Sequence, residues 1–323
     1  MNIRRCLRVL TLLPVLCLAG MAVQAQTWPS KPIRLIVPFP PGGSADLAAR
    51  AVAQSLAQDL GQTLIVDNRA GADGAIAAEA VTRSAPDGYT LFFATNTAML
   101  AVPTLRKTPP YDPIADFTPI SLVGRFGFFV FAHPSLPASS AQEMLAYVRA
   151  HPGQVNYGTG NASSILATAQ LARQEKLDML HVPYKGDAPL TTDLLAGRIH
   201  LAVATAGTAL VHANEGKLRV LATLLPTRSA LVPDVPTMPE AGIHGLNITP
   251  WAAMFGPAKL PRDITGRVAS ALQRVLASTE LKAQLSRYAF EAQSAPPQEL
   301  AAYLKDQYEV WSRTAQDVGL ARE

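Results

Sequence analysis

The residues best placed to do chemistry in this chain sit in short polar loops, above all P-F-P-P-G-G-S-A-D at 38–46. Gly42 and Gly43 allow backbone angles closed to other residues and leave room for a ligand against the main chain. Ser44 opens a segment with helical spacing of Leu47, Ala48, Ala51, Val52 and Leu56 on one side and Asp46, Arg50, Gln54 and Gln58 on the other. The loop therefore delivers a first helical turn, whose unpaired N–H groups and positive dipole end suit a carboxylate. A two-glycine turn that merely permits a tight connection reads the same way. Asp46 lies in that turn and either accepts backbone hydrogen bonds and organises water, or meets a cationic part of an amino-acid-like ligand.

Two further loops have the same strand-to-helix setting. Y-G-T-G-N-A-S-S at 157–164 supplies hydroxyls from Thr159, Ser163 and Ser164 and the amide of Asn161, as N-caps or as ligand donors. H-V-P-Y-K-G-D-A-P at 181–189 offers the ring and hydroxyl of Tyr184, and room at Gly186. Lys185 is either a charge that steers an anion or a solvated surface residue. Thr95, Asn96 and Thr97 follow one strand and Thr205 another, at the carboxyl ends where open parallel sheets collect ligands.

Other chemistries find no support. The six histidines are widely separated, without an H-E-x-x-H arrangement or close metal-ligand spacing. Ser44 is not in G-x-S-x-G, and Gly42–Gly43 lacks both the G-x-G-x-x-G cradle and the Walker lysine. Cys6 and Cys17 both fall in a leader, so a mature chain has no thiol, disulfide or cysteine-held zinc. That leader, residues 1–25, has Arg4, Arg5 and Arg8, an apolar run from Val9 to Ala19 and small residues before a cut after Ala25. This is the build of a cleaved secretory signal, and its apolar run is short for a membrane span. The formal charge of +4 drops when the leader's three arginines go, leaving 25 basic side chains against 24 acidic. A nucleic-acid role read from the basic balance loses its basis.

The elements that must position these loops alternate. Strands are expected at Ile33–Phe39, Leu64–Val66 and Thr90–Ala94, with helices from Ser44 and over Gly74–Arg83. A second series follows: strand Phe128–Ala132, helix Ala141–Ala150, strand Val155–Tyr157, helix Ser163–Gln174, strand Met179–Val182, a helix around Pro189–Ala196, strand Leu201–Ala204, a short helix from Thr208 and strand Leu218–Leu224. This alternation predicts two α/β lobes built on mainly parallel sheets. Phe126–Phe131 and Ile248–Phe255 bracket the second series and read as crossings between lobes. Lobe 1 is then 26–126 with 248–323, and lobe 2 is 127–247. Leu300, Tyr303, Leu304, Tyr308 and Trp311 give the returning C-terminal helix a broad apolar face.

The ordered motifs resemble one family. W-P-S-K-P-I-R-L-I-V-P-F-P-P-G-G-S-A-D at 28–46, D-N-R-A-G-A-D-G at 67–74, A-P-D-G-Y-T-L at 85–91, V-N-Y-G-T-G-N at 155–161, H-V-P-Y-K-G-D-A-P at 181–189 and D-L-L-A-G at 193–197 are similar to the extracytoplasmic tripartite tricarboxylate receptors, the Bug or TctC family. The resemblance implies a type II periplasmic-binding-protein fold, with two α/β lobes joined by crossing strands and closing over a ligand. It implies ligand contacts in the loop from Phe39 to Asp46, at Thr95 and Asn96, and in the facing loops Thr159 to Ser164 and Tyr184 to Asp187. The chain departs from the family's G-S-S-G-x-G-S-x-x-H run, reading G-T-G-N-A-S-S-I-L-A with no histidine, so the resemblance implies a ligand class and not a ligand.

The function expected is a monomeric periplasmic receptor, not an enzyme, that captures a small organic carboxylate without cofactor or metal. Its partner is a two-component membrane permease. The alternatives are a sensor protein receiving the same signal, or a secreted hydrolase.

Overall fold

A computed structural model describes residues 28–317 except Thr208 and Asn247; the leader and its cut site lie outside the described residues. Ile33–Val37 forms β1, whose residues are buried apart from the half-exposed Arg34. The chain turns at Gly42, φ 87°, and enters α1, Ser44–Leu60. Gly61 ends that helix in the left-handed region, φ 66°, and donates its N–H to Ala57 O, the role glycine fills most cheaply. β2 (Leu64–Asn68), α2 (Ala75–Thr82) and the wholly buried β3 (Thr90–Thr95) follow. A π-helical turn at Thr97–Ala101 runs into α3, Val102–Leu105.

β4 (Phe117–Phe126) and β5 (Phe128–Ala132) are separated only by Gly127, yet they belong to different sheets. After β5 come α4 (Ala141–Ala150), β6 (Asn156–Thr159), α5 (Ala162–Glu175), β7 (Leu180–Pro183), α6 (Asp187–Leu195), β8 (Leu201–Thr205), α7 (Ala209–Asn214) and β9 (Arg219–Thr223). The chain then returns through β10 (Trp251–Pro257), α8 (Arg262–Ala277), α9 (Thr279–Ser286), β11 (Phe290–Ala295) and α10 (Pro297–Asp317). The first sheet has the order β11-β4-β10-β3-β1-β2 and the second β7-β6-β8-β5-β9. Among the described residues no helix is long and apolar enough to cross a membrane.

Alternation along the central strands fills two cores per lobe. Leu91, Phe93, Ala252 and Met254 face one core with α1, α8 and α9, whereas Phe92, Ala94, Trp251, Ala253 and Phe255 face the other with α2 and α10. In the second lobe α4 and α5 cover one face, and α6 with α7 covers the opposite one. Ile248 packs against a core of each lobe, at the return crossing.

The structure corrects three expectations. Both sheets are mixed: β10 is antiparallel to β3 and β4, β11 to β4, and β5 to β8 and β9. The reversal follows from the crossings, since β5 and β10 enter their sheets from the other lobe. Asp46 does not share the solvent side of α1 with Arg50, Gln54 and Gln58; it is 2% exposed. β4, α8, α9 and β11 were not among the expected elements.

Candidate functional site: the cleft between the lobes

The segments at the carboxyl ends of β1, β3, β6, β7 and β8 meet at a cleft between the lobes. Its lining from the first lobe is Phe39, Pro40, Gly43, Ser44 and Ala45, then Thr95, Asn96 and Thr97. Phe126 and Pro250 border it at the crossings, and Asn161, Asp187, Ala188 and Thr205 face it from the second lobe.

The α1 end has the backbone features that suit an anion. Its N-cap, Gly43, carries no side chain that could satisfy the first turn, and the first intrahelical bond is Leu47 N to Gly43 O at 3.0 Å. The N–H groups of Ser44 and Ala45 therefore lack intrahelical acceptors where both residues line the cavity. Thr95 adds a hydroxyl: the residue is 4% exposed, lines the cavity, and its Oγ1 has no hydrogen-bond partner. Buried hydroxyls are ordinarily paired, which makes this one a candidate ligand donor.

The lobes are already in contact. Asn96 Nδ2 donates to Ser163 Oγ across the cleft, while Asn96 Oδ1 accepts from the Trp251 backbone N at 3.3 Å. The hydroxyls of Thr205 and Ser44 are hydrogen-bonded at 2.7 Å. A Cβ on Gly207, φ 38°, would come within 2.9 Å of Ser44 Oγ, and one on Gly186, φ 130°, within 3.0 Å of Pro40. Glycines at these positions let the second lobe close on the first.

Asp187 opens α6 and is held from three directions. Its Oδ2 accepts from Thr205 N at 3.1 Å and from the Thr205 hydroxyl, and its Oδ1 from Asn161 Nδ2 at 3.3 Å. Burial pushes its pKa up against these hydrogen bonds, which favour the ionised form.

The remaining sequence-predicted residues lie outside the lining. Gly42 serves the turn and donates its N–H to Asp46 Oδ2 at 3.0 Å. Asp46 is turned from the cavity and is further engaged by Arg50 Nε at 2.9 Å and Asn68 Nδ2 at 2.8 Å. Thr159 Oγ1 meets His181 Nε2 at 2.6 Å. Ser164 is spent in a capping box with Asn161, and Ser163 in holding Asn96. Tyr184 donates its hydroxyl to Asp193 Oδ2 at 2.8 Å, and Lys185 is exposed. Sequence reasoning had not assigned Phe126, Ala188 or Pro250 to the site. The signal for Phe126 and Pro250 was their place in the two crossing segments, since a cleft between lobes is bordered by whatever joins them.

The sequence model of the tripartite tricarboxylate transporter family receptor, TctC, matches residues 48–320. The chain belongs to this family. The receptor is 34% identical to protein BugT of Bordetella pertussis over 329 aligned positions, covering 99% of each chain. It is similar in structure to the R. palustris protein Rpa4515 solved with adipate, at TM-score 0.88 and 30% identity over 91% of this chain and 99% of that one. MatC from Rhodopseudomonas palustris, solved with bound malate, superposes at TM-score 0.83 and 28% identity, with 89% and 99% covered. The fold is thus that of the periplasmic binding proteins of this type, and the family is one of solute-binding receptors.

Two consequences for the receptor follow from the geometry. Thr95→Val keeps the side-chain shape and removes the orphan hydroxyl, whose burial unpaired costs about 1–3 kcal/mol. The variant should be about 1 kcal/mol more stable in urea without ligand, yet bind ligand roughly tenfold more weakly. Equal affinity would remove Thr95 from the site.

Asp46 behaves differently. Burial alone would raise its pKa, but the hydrogen bonds from Arg50, Gly42 and Asn68 and the guanidinium charge hold it below the ordinary 3.8. A depressed folded pKa means stability that is complete above the ordinary value and lost as pH falls through the folded one. Asp46→Asn should therefore cost about 1–2 kcal/mol near pH 7, a value discounted for the half-exposed arginine, and the gap to wild type should close in acid, below the depressed folded pKa. Urea midpoints at the two pH values check this, and a gap independent of pH would contradict it.

Proposed function

We propose that the receptor captures a small organic carboxylate in this cleft and delivers it to the membrane subunits of a tripartite transporter. The observation that carries the reading is the uncapped first turn of α1 together with the buried, unpartnered Thr95 hydroxyl, both among the residues that line the cleft between the lobes. The adipate and malate held by its R. palustris relatives support a carboxylate as the class of ligand. Phe39, Gly43, Ser44, Thr95, Asn96, Asn161, Asp187 and Thr205 are the side of the site in contact with the solute. The hinged units are residues 26–126 with 248–323, and 127–247. The leader is removed after Ala25 and the mature chain works in the periplasm.

Capture works by population. A carboxylate seated on α1 gains contacts from Asn161 and Thr205 only when the lobes meet, so it shifts the receptor toward the closed arrangement. No bond in the solute changes, and the closed form is what a permease recognises. The test is a thermal-shift panel of mono-, di- and tricarboxylates followed by titration calorimetry, with mass spectrometry of the recovered solute. A ligand at a hundred times its Kd should add about 2.7 kcal/mol of stability. A broad panel without a single hit, or recovery of a converted product, would reject the reading.

A further inference from the structure

We propose that Asp187 makes the cleft selective for a carboxylate that carries a positively charged nitrogen next to it, an amino-acid-like zwitterion, over the more negative acid of the same skeleton. The inference rests on the reading of the cleft as a carboxylate site and adds the charge of the ligand's second group.

The charge census of the cavity decides it. Among the described lining residues Asp187 is the one ionisable side chain; no Lys, Arg or His reaches the cavity. Lys185, two residues away, is exposed and outside the lining, and Arg50 is committed to Asp46. A second anionic group would therefore meet a carboxylate with no cation to offset it. On the second lobe, the helix starts at α5 and α6 offer no comparable seat among the described residues. The first turn of α5 is closed by the Asn161–Ser164 capping box, and that of α6 carries Asp187 itself and Pro189, which has no N–H.

Asp187 is also built to stay in place as an acceptor. Thr205 N, the Thr205 hydroxyl and Asn161 Nδ2 all donate to it. A carboxylate has about four lone-pair sites, so one acceptor position remains for a ligand N–H. Among the described residues Asp187 makes no ion pair, and burial raises its pKa by penalising the bare charge, a penalty that a ligand cation would offset. Ligand nitrogen would supply that partner. Phe39 and Phe126 complete the lining with rings that attract a cation.

Spacing narrows the ligand further. Ser44, in the anion seat, is hydrogen-bonded to Thr205, and Thr205 to Asp187. The seat and the acidic group are thus two hydrogen bonds apart, and the two ligand charges must be neighbours, as in a 2-amino acid. This assigns to Asp187 the cation-meeting part considered above for Asp46, whose charge is already spent on Arg50.

The experiment is titration calorimetry of the mature receptor at neutral pH with matched pairs: alanine and lactate, aspartate and malate, glutamate and 2-hydroxyglutarate. Each pair exchanges an ammonium for a hydroxyl and keeps the skeleton. In whichever pairs bind, the amino member should bind at least tenfold tighter, and Asp187→Asn should erase the difference by weakening that member alone. A hydroxy acid bound as tightly as its amino partner in the wild type overturns the proposal without recourse to any variant, and so does a preference that survives Asp187→Asn. Binding of adipate or malate with no binding of any amino member would leave the carboxylate site standing and remove this inference. Failure of every acid in both sets would remove both.

Discussion

Gly43→Val should weaken carboxylate binding by about 10- to 100-fold while leaving the melting temperature unchanged. The two glycines of the loop have separate jobs. Gly42, φ 87°, bears the turn. Gly43 is extended, φ −79° and ψ 165°, a conformation valine adopts freely, and a Cβ there meets only Pro40 O at 3.9 Å. The added methyl groups therefore spend their volume in the cavity that Gly43 lines, beside the anion seat. Overpacking of this kind costs about 1–3 kcal/mol, and 1.4 kcal/mol is a tenfold change in affinity. Titration of Gly43→Val beside Lys305→Ala, an exposed change on α10, with melting curves for both, is the measurement. A folded Gly43→Val receptor of wild-type affinity would place the ligand elsewhere.

Trp251→Ala should cost about 3–5 kcal/mol of stability, the range for emptying a buried indole site. Trp251 is fully buried at the start of β10, lies edge-on to Tyr303 with ring centroids 5.9 Å apart, and donates its backbone N–H to Asn96. Its Nε1 has no hydrogen-bond partner among the described residues. Trp251→Phe, which removes that unpaired donor and keeps most of the packing, should lose less than half as much. Urea midpoints for both variants check the order. A loss below about 1 kcal/mol for the alanine variant would mean that the hole collapses, against the expectation for a site walled by two sheet neighbours.

How far the sequence could be read depends on whether the deciding interaction is local. β1, α1 and α4 were legible because periodicity and caps are written within a dozen residues. β4 was hidden by its own breakers: Pro119 stands opposite Phe255 beside a register shift, and Gly124, φ 158°, stands opposite Ala292 where a Cβ would strike Glu291 O at 2.2 Å. β11, F-E-A-Q-S-A, is an edge strand with little apolar pattern to find. Strand direction has no local signature at all, so the reversed β5 and β10 could not be read. In the site, the loops at the carboxyl ends of strands were legible from glycine and hydroxyl placement. The contacts that close the cleft were not, because Ser44–Thr205 joins residues 161 positions apart and Asn96–Ser163 residues 67 apart. Tyr184 and Asp187 share one loop, and only backbone geometry sends the first toward Asp193 and the second into the cavity.

The insertion of β10 between β4 and β3 imposes an order on synthesis. Every strand of the second sheet lies within residues 128–223, so that sheet can finish pairing while the chain is still growing. The first sheet cannot. Until residues 251–257 emerge, β3 has one open edge, and β4 lacks both of its neighbours because β11 comes later still. A nascent chain halted before Trp251 would therefore display the hydrophobic strands β3 and β4 with unpaired backbone, a template for joining other chains. For this receptor, premature termination ahead of β10 is an aggregation hazard rather than a simple loss of a tail.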